Sequence, residues 1–296
     1  MKTITKVLIG AVLVLALAGC SDISLRGIIA DKLAAGGTTT PTTPTTPTTP
    51  PVPTIRVGSV AFSRSGYWTL DDGAYMVDSR AKLLNPANFG ANGTVKKTIT
   101  ITDTAATITA ALLSQFDVFF IGYVPNGTFT GPELTAMTTW VTNGGVMIVT
   151  ADDQSHNDVA AAFPNVDYPP NYANISPFTY PVGSQTDHIV PYDSGYIAGS
   201  THPIFVGPFG NIAAATNIFV ASSVGVLPLG MHGLAYDPST SYFTVGEVSF
   251  GTGKVIFLTD VDLISNSNGD MSAGGTISMA HGNEVFLGNL FAYAHR

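Results

Sequence analysis

Residues 117–150 read DVFFIGYVPNGTFTGPELTAMTTWVTNGGVMIVT, and this stretch decides the fold class. Its two apolar runs, Asp117–Gly122 and Val146–Thr150, are too short for helices and show no alternation with polar residues. Each therefore reads as a strand buried on both faces, the habit of parallel sheets. Between them, Gly131–Asn143 sets Leu134, Met137, Trp140 and Val141 on one face at helical spacing, and Gly144-Gly145 closes the helix. Strand, amphipathic helix and strand in this order make a crossover unit of an α/β sheet.

Outward from this unit the pattern continues. Upstream, Ile55–Phe62 reads as a strand, Asp78–Leu84 as a short helix, Thr98–Thr102 as a strand and Ala105–Leu113 as a helix ending before Phe116. Downstream, Pro164 to Pro208 is rich in Pro, Tyr, Asn and Gly and reads as a long irregular insertion. Phe219–Ala221, Gly225–Leu229, Tyr242–Phe250 and Lys254–Thr259 read as strands, the last two joined through Gly251-Thr252-Gly253. Asn283–Ala294 reads as a closing helix with Val285, Phe286, Leu290 and Phe291 turned inward. Residues 55–296 are thus expected to form one α/β domain, an open and mostly parallel sheet flanked by helices, with a β-rich C-terminal half.

The first 54 residues have a different character. Lys2 and Lys6 precede an apolar run from Val7 to Leu17, which suits the core of an export signal and is short for a membrane span. Leu17-Ala18-Gly19-Cys20 follows as a lipobox, so residues 1–19 read as a lipoprotein signal peptide and Cys20 as the lipid-bearing first residue of the mature chain. Ser21, where an aspartate would favour retention in an inner membrane, points to the outer membrane or cell surface. From Gly36 to Thr54, proline recurs every third residue among threonines, a backbone that sustains neither helix nor sheet and reads as a tether, so 20–54 is lipidated spacer. In extended polyproline geometry its roughly 17 residues span about 50 Å.

Cys20 is the only cysteine in 296 residues, so an acylated chain has no thiol left for disulfides, metal or nucleophilic catalysis. Loss of residues 1–19 removes two lysines and no acids, leaving ten bases against twenty acids, a charge of −10. Such a chain lacks the clustered Lys and Arg that a nucleic acid requires. Its expected partners are the membrane, through the lipid, and an envelope protein or glycan.

Several segments together resemble the class I glutamine amidotransferase-like superfamily: DVFFIGY, GPELTAMTTWVTNGGVMIVTADD, THPIFVG, GTGKVIFLTDVDLIS and GNEVFLGNLFAYA, in that order. The likeness is to a non-catalytic branch, the domains of gliding-motility transporter accessory proteins. It implies a flavodoxin-like, amidotransferase-like sheet over residues 55–296. Catalytic members carry a cysteine at a sharp strand-to-helix turn; the matching turn here, after Val146–Thr150, reads Ala151-Asp152-Asp153. Glutamine hydrolysis by a cysteine is therefore not expected.

Open α/β sheets bind ligands at the carboxyl ends of their strands. Asp152 and Asp153 follow one such strand, Asp260 and Asp262 another, and His156 lies close behind the first pair. These five are the candidate ligand-binding residues. With Asn266, Asn268 and Asp270 the acids offer hard oxygen ligands for a divalent cation such as calcium, although the run 260–270 does not follow an EF-hand loop, and the same aspartates serve equally as turn and helix caps. His188 and His202 are the other histidines expected near these strand ends, and His202-Pro203-Ile204 reads as a structural turn. Ser155 is not in a GxSxG elbow, and no phosphate-binding glycine loop is present. The leading expectation is a tethered binding domain without catalysis. A hydrolase acting on an envelope glycan or peptide through Asp152, His156 or Asp260 is the alternative, and a purely structural surface protein is a third.

Overall fold

The computed structural model describes residues 51–65, 68–122, 128–150, 188–191, 201–212, 217–220, 232–237, 242–258, 261–266 and 271–295. All belong to the compact unit Pro51–Arg296. In chain order the elements are β1 (Thr54–Val60), α1 (Phe62–Ser65), α2 (Val77–Leu84), β2 (Thr98–Thr104), α3 (Ala110–Leu113), β3 (Val118–Ile121), α4 (Gly131–Thr142) and β4 (Val146–Thr150). There follow β5 (His188–Pro191), β6 (Val206–Gly207), β7 (Gly210–Asn211), β8 (Asn217–Val220), β9 (His232–Asp237), β10 (Tyr242–Phe250), β11 (Gly253–Leu258), a 3-10 turn (Val261–Leu263) and α5 (Gly282–Ala294).

Seven strands form the main sheet in the order β2-β1-β3-β4-β11-β10-β9. The first five run parallel, and β10 and β9 add on antiparallel. Alternate side chains explain the two covered faces. Val118, Phe120, Ile148, Ile256 and Leu258 meet Leu83 of α2 and Val285, Phe286, Leu290 and Phe291 of α5 on one side. Phe119, Ile121, Met147, Val149, Val255 and Phe257 meet Leu113 of α3 and Met137 and Val141 of α4 on the other.

Several elements depart from the sequence pattern. The helix expected over 105–113 is confined to Ala110–Leu113, because Ile108 N–H is drawn to the Glu133 carboxylate (2.8 Å) and Thr109 is the cap, its hydroxyl accepting from Leu112 N. The closing helix is not amphipathic: all of α5 except Tyr293 is buried. Its far side is covered by Ile204, Phe205 and Phe209, and buried Asn289 accepts from Phe209 N (3.0 Å) and donates to Gly210 O (3.1 Å). The strand β9 carries no clear apolar signal, while Gly225–Leu229 and most of the 164–208 insertion lie outside the described residues. Within that insertion His188–Pro191 pairs antiparallel with β8, a strand where an irregular loop was expected.

The β10–β11 hairpin turns at Gly251-Thr252 and seats its backbone on the end of α4, with Thr252 N donating to Thr142 O (3.0 Å). A Cβ on Gly253 would lie 2.1 Å from Val141 O and 2.3 Å from Gly145 O, both main-chain atoms that cannot swing aside. Gly253→Ala is therefore expected to cost about 3 kcal/mol in denaturant unfolding, the upper end for overpacking. Gly73→Ala, where a Cβ meets nothing within 4 Å, should leave stability nearly unchanged, and equal effects at the two sites would contradict this packing.

Candidate functional site at the carboxyl edge of the sheet

Strands β4 and β11 are parallel neighbours, and their last residues, Thr150 and Leu258, are register partners. Ala151-Asp152-Asp153 follows the first in sequence and Thr259-Asp260 the second. The two Asp-bearing segments thus follow, in sequence, strand ends that are neighbours on one edge of the sheet. Asp152, Asp153, His156 and Asp260 themselves lie outside the described residues, as do Asn268 and Asp270; Asp262 sits in the 3-10 turn Val261–Leu263.

The rest of this edge is held by side chains that satisfy backbone groups. After β1, Asp72 accepts from Trp68 N (2.8 Å), Ala74 N (2.9 Å) and Tyr75 N (3.2 Å), folding a tight loop in which Trp68 adopts φ 47° and its indole stacks on Tyr75. This loop crosses the end of β3, where a Cβ on Gly122 would lie 2.3 Å from Trp68 O. Glycine is required there by close approach.

Beyond β11 the chain is clasped to α2 and α5 by a buried polar network. Lys82 and Glu284, both fully buried, face each other at 3.4 Å. Lys82 Nζ donates to Ser272 O and Gly274 O (2.9 Å), while Glu284 accepts from Ser272 N (2.7 Å), Ser272 Oγ and Ser278 N (2.6 Å). Asn283 Nδ2 donates to Leu263 O (3.0 Å) and Ser79 Oγ to Ile264 O. Asn266, expected as an oxygen ligand, is committed to the start of α2: its Oδ1 accepts from Asp78 N (3.2 Å) and its Nδ2 donates to Asp78 Oδ2. Sequence reasoning missed this clasp, because no local pattern announces that Lys82 and Glu284, two hundred residues apart, will meet.

A second ion pair, with a buried carboxylate and a half-buried guanidinium, fastens the near side. Thr130 and Glu133 form a capping box at the start of α4, a signature legible as Thr-Gly-Pro-Glu. Glu133 also accepts from Ile108 N and from Arg64 Nη2 (2.6 Å), whose guanidinium lies over the Phe129 ring at 5.0 Å. Burial alone would raise the Glu133 pKa. The donors Thr130 N, Ile108 N and Arg64 outweigh it and lower the value from 4.5 to about 2.

His202 lies elsewhere than expected. Its ring packs against Tyr293 (4.8 Å between centroids), whose hydroxyl accepts from Lys254 Nζ (2.7 Å) at the amino end of β11 and donates to Glu247 (3.0 Å). It therefore sits toward the opposite end of the strands. Burial lowers its pKa, and its carbonyl accepts from Phe205 N and Val206 N, the structural turn read from His-Pro-Ile.

At that amino edge a cavity of about 310 Å³ opens between β3, α4 and α5, lined in part by Asp117, Trp140, Asn143 and His295. Asp117 is engaged by Arg56 (2.6 Å and 3.1 Å), and His295 Nδ1 by Lys97 Nζ (3.0 Å). Among the described residues no group of three His, Cys, Asp or Glu is placed to hold a metal ion.

No protein-family model matches the chain, and no curated protein matches it in sequence. Solved structures do. They include the mmIFT52 N-terminal domain (12% identity, TM-score 0.48, 81% of this chain and 96% of that one). Others are a ThuA-like protein from Bacteroides uniformis (11%, TM-score 0.44, 86% and 95%) and a cytoplasmic protein from Salmonella typhimurium (11%, TM-score 0.42, 81% and 98%). The α/β class of the present chain is read from its own strand order.

The low Glu133 pKa has a sign. A carboxylate depressed in the folded state contributes stability that is full above its unfolded value, near 4.5, and is lost as pH falls toward about 2. Glu133→Gln is expected to cost about 1–3 kcal/mol at neutral pH, since buried donors lose a charged acceptor. It should also flatten the decline between those two pH values. Parallel acid limbs for wild type and variant in pH-resolved melts would contradict the assignment.

Proposed function

We propose that the chain is an envelope lipoprotein, anchored through Cys20 at the outer membrane or cell surface. Its amidotransferase-like domain binds a ligand or protein partner at the carboxyl edge of the sheet without amidotransferase chemistry. One observation carries this reading: the sole cysteine of the sequence stands in the lipobox Leu17-Ala18-Gly19-Cys20. Its thiol is the acyl acceptor, and the turn after β4, where catalytic members hold their cysteine, reads Ala151-Asp152-Asp153. The resemblance to the non-catalytic, gliding-motility accessory branch supports the same reading. So does the Thr-Pro tether, whose roughly 50 Å reach lets a domain work clear of a lipid surface. At the edge itself, Asp152, Asp153, His156, Asp260 and Asp262 form the binding set. The register pairing of Thr150 with Leu258 supports a site shared by the two turns.

The anchor is tested by metabolic labelling with a palmitate analogue. Cys20→Ser should carry no label and leave the membrane fraction, and equal label in wild type and variant would remove the proposal's first half. The edge is tested by calorimetric titration of the mature chain with calcium and with magnesium, beside thermal melts. Asp152→Asn combined with Asp260→Asn should abolish the heat and the stabilisation seen in wild type and leave the cation-free melt in place. If the carboxylates only cap turns, each substitution costs about 0.5–2 kcal/mol and wild type shows no cation-dependent heat.

A further inference from the structure

The outer side of β2 is an intact pairing edge. Thr98 N donates to Pro53 O and Ala61 N to Thr104 O, both 2.9 Å, so the even-numbered residues of β2 turn their backbone groups toward β1. In a parallel ladder the alternate residues turn theirs the other way. Ile99, Ile101 and Asp103 therefore present N–H and C=O outward, where no described strand pairs with them. Natural edges are commonly guarded by proline, lysine or a bulge. β2 reads TITITDT, contains neither residue, carries Asp103 as its one charge with Lys97 just before it, and keeps unbroken register with β1 from Thr98 to Thr104. The opposite edge differs: the β9–β10 ladder slips between Phe243 and Gly246.

We infer that two copies of the chain pair edge to edge through β2, antiparallel and centred on Thr100, so that the two sheets become one. In an antiparallel pair the outward-facing residues exchange the hydrogen bonds, and a two-fold axis maps the edge onto itself. Centring on Thr100 sets Ile99 opposite Ile101, Thr98 opposite Thr102, Thr100 opposite its own copy and Lys97 opposite Asp103. Charge complementarity selects this register. Shifting the centre to Ile101 would place Asp103 against Ile99 and Lys97 against Ala105, with no opposite charges facing. Lys97 and Asp103 are held at the two ends of the strand by local partners, His295 Nδ1 at 3.0 Å and Arg80 at 2.8 Å. Thr100 and Thr102 are exposed, while Thr98 is half-buried with its hydroxyl 2.9 Å from Thr54 Oγ1, so the central Thr100 pair is the one that meets no obstacle from its own copy.

Cysteine cross-linking of the full chain reads this register directly. Across an antiparallel non-hydrogen-bonded pair the Cα atoms are about 4.5 Å apart, within the roughly 4.4–6.8 Å that a disulfide spans. Thr100→Cys should give a covalent dimer under mild oxidation. Thr102→Cys alone, staggered by roughly 13 Å in this register, should give no more dimer than the unsubstituted chain, which sets the baseline for Cys20. An equal mixture of Thr98→Cys and Thr102→Cys should give the mixed dimer. Adding Lys97→Glu to Thr100→Cys should lower the dimer yield several-fold. Thermal melts establish that each variant is folded. The inference is overturned if Thr100→Cys yields no dimer above baseline, or if Thr102→Cys alone cross-links as well as Thr100→Cys.

Discussion

Burial of the central strands on both faces is the constraint from which the rest of the structure follows. β3 and β4 have no solvated side, so every residue in them must be apolar or small, and helices must be supplied above and below. α4 covers one face and α5 the other. Phe119, Phe120, Phe257 and Phe291 are fully buried, each contributing about 1.5–3 kcal/mol by its removal from water. Because α5 is itself covered by residues 204–212, the second face is three layers deep at that point, which is why a helix with almost no polar side is stable there.

Covering the sheet in this way leaves the loops at its carboxyl edge to be fastened by polar groups, and two ion pairs, one fully buried and one half-buried, do this. Arg64–Glu133 ties the segments after β1, β2 and β3 together, while Lys82–Glu284 clamps the segment after β11. Each carboxylate also accepts from two or more backbone N–H groups. A buried charge is tolerated only when paired and fully hydrogen-bonded. Two further acids around this edge are engaged by neighbouring backbone and amide groups. Asp72 holds its own loop, and Asp78 holds Asn266 and Gly274.

The strands of the parallel core, the crossover helix α4 and the hairpin at Gly251-Thr252 were legible because each is encoded within a dozen neighbouring residues. Apolar runs without alternation, a Thr-Gly-Pro-Glu start and a Gly-Gly stop require no knowledge of distant contacts. The helix over 105–113 was over-extended for the opposite reason. Its propensity is adequate, yet Ile108 N–H finds a stronger acceptor in Glu133, twenty-five residues on. The place of Asn266 was open in the sequence because oxygen-rich spacing looks the same whether it surrounds a cation or caps a helix, and its amide is engaged with Asp78 at the start of α2. His202 follows the same logic, since a His-Pro turn fixes local backbone and says nothing about which end of the sheet it reaches.

By itself the sequence determined what depends on covalent identity and short range: a single cysteine, placed at position 20 after Leu17-Ala18-Gly19, the Thr-Pro repeat within residues 36–54, the absence of a thiol after β4, and the periodicities of strand and helix. Only the tertiary structure decided which strands are neighbours, and with that which loops share an edge. Thr150 and Leu258 become register partners although 108 positions separate them, and Lys82 meets Glu284 across 202. Such pairings are set by how two faces of one sheet are filled, a property of the assembled core that no window of sequence contains.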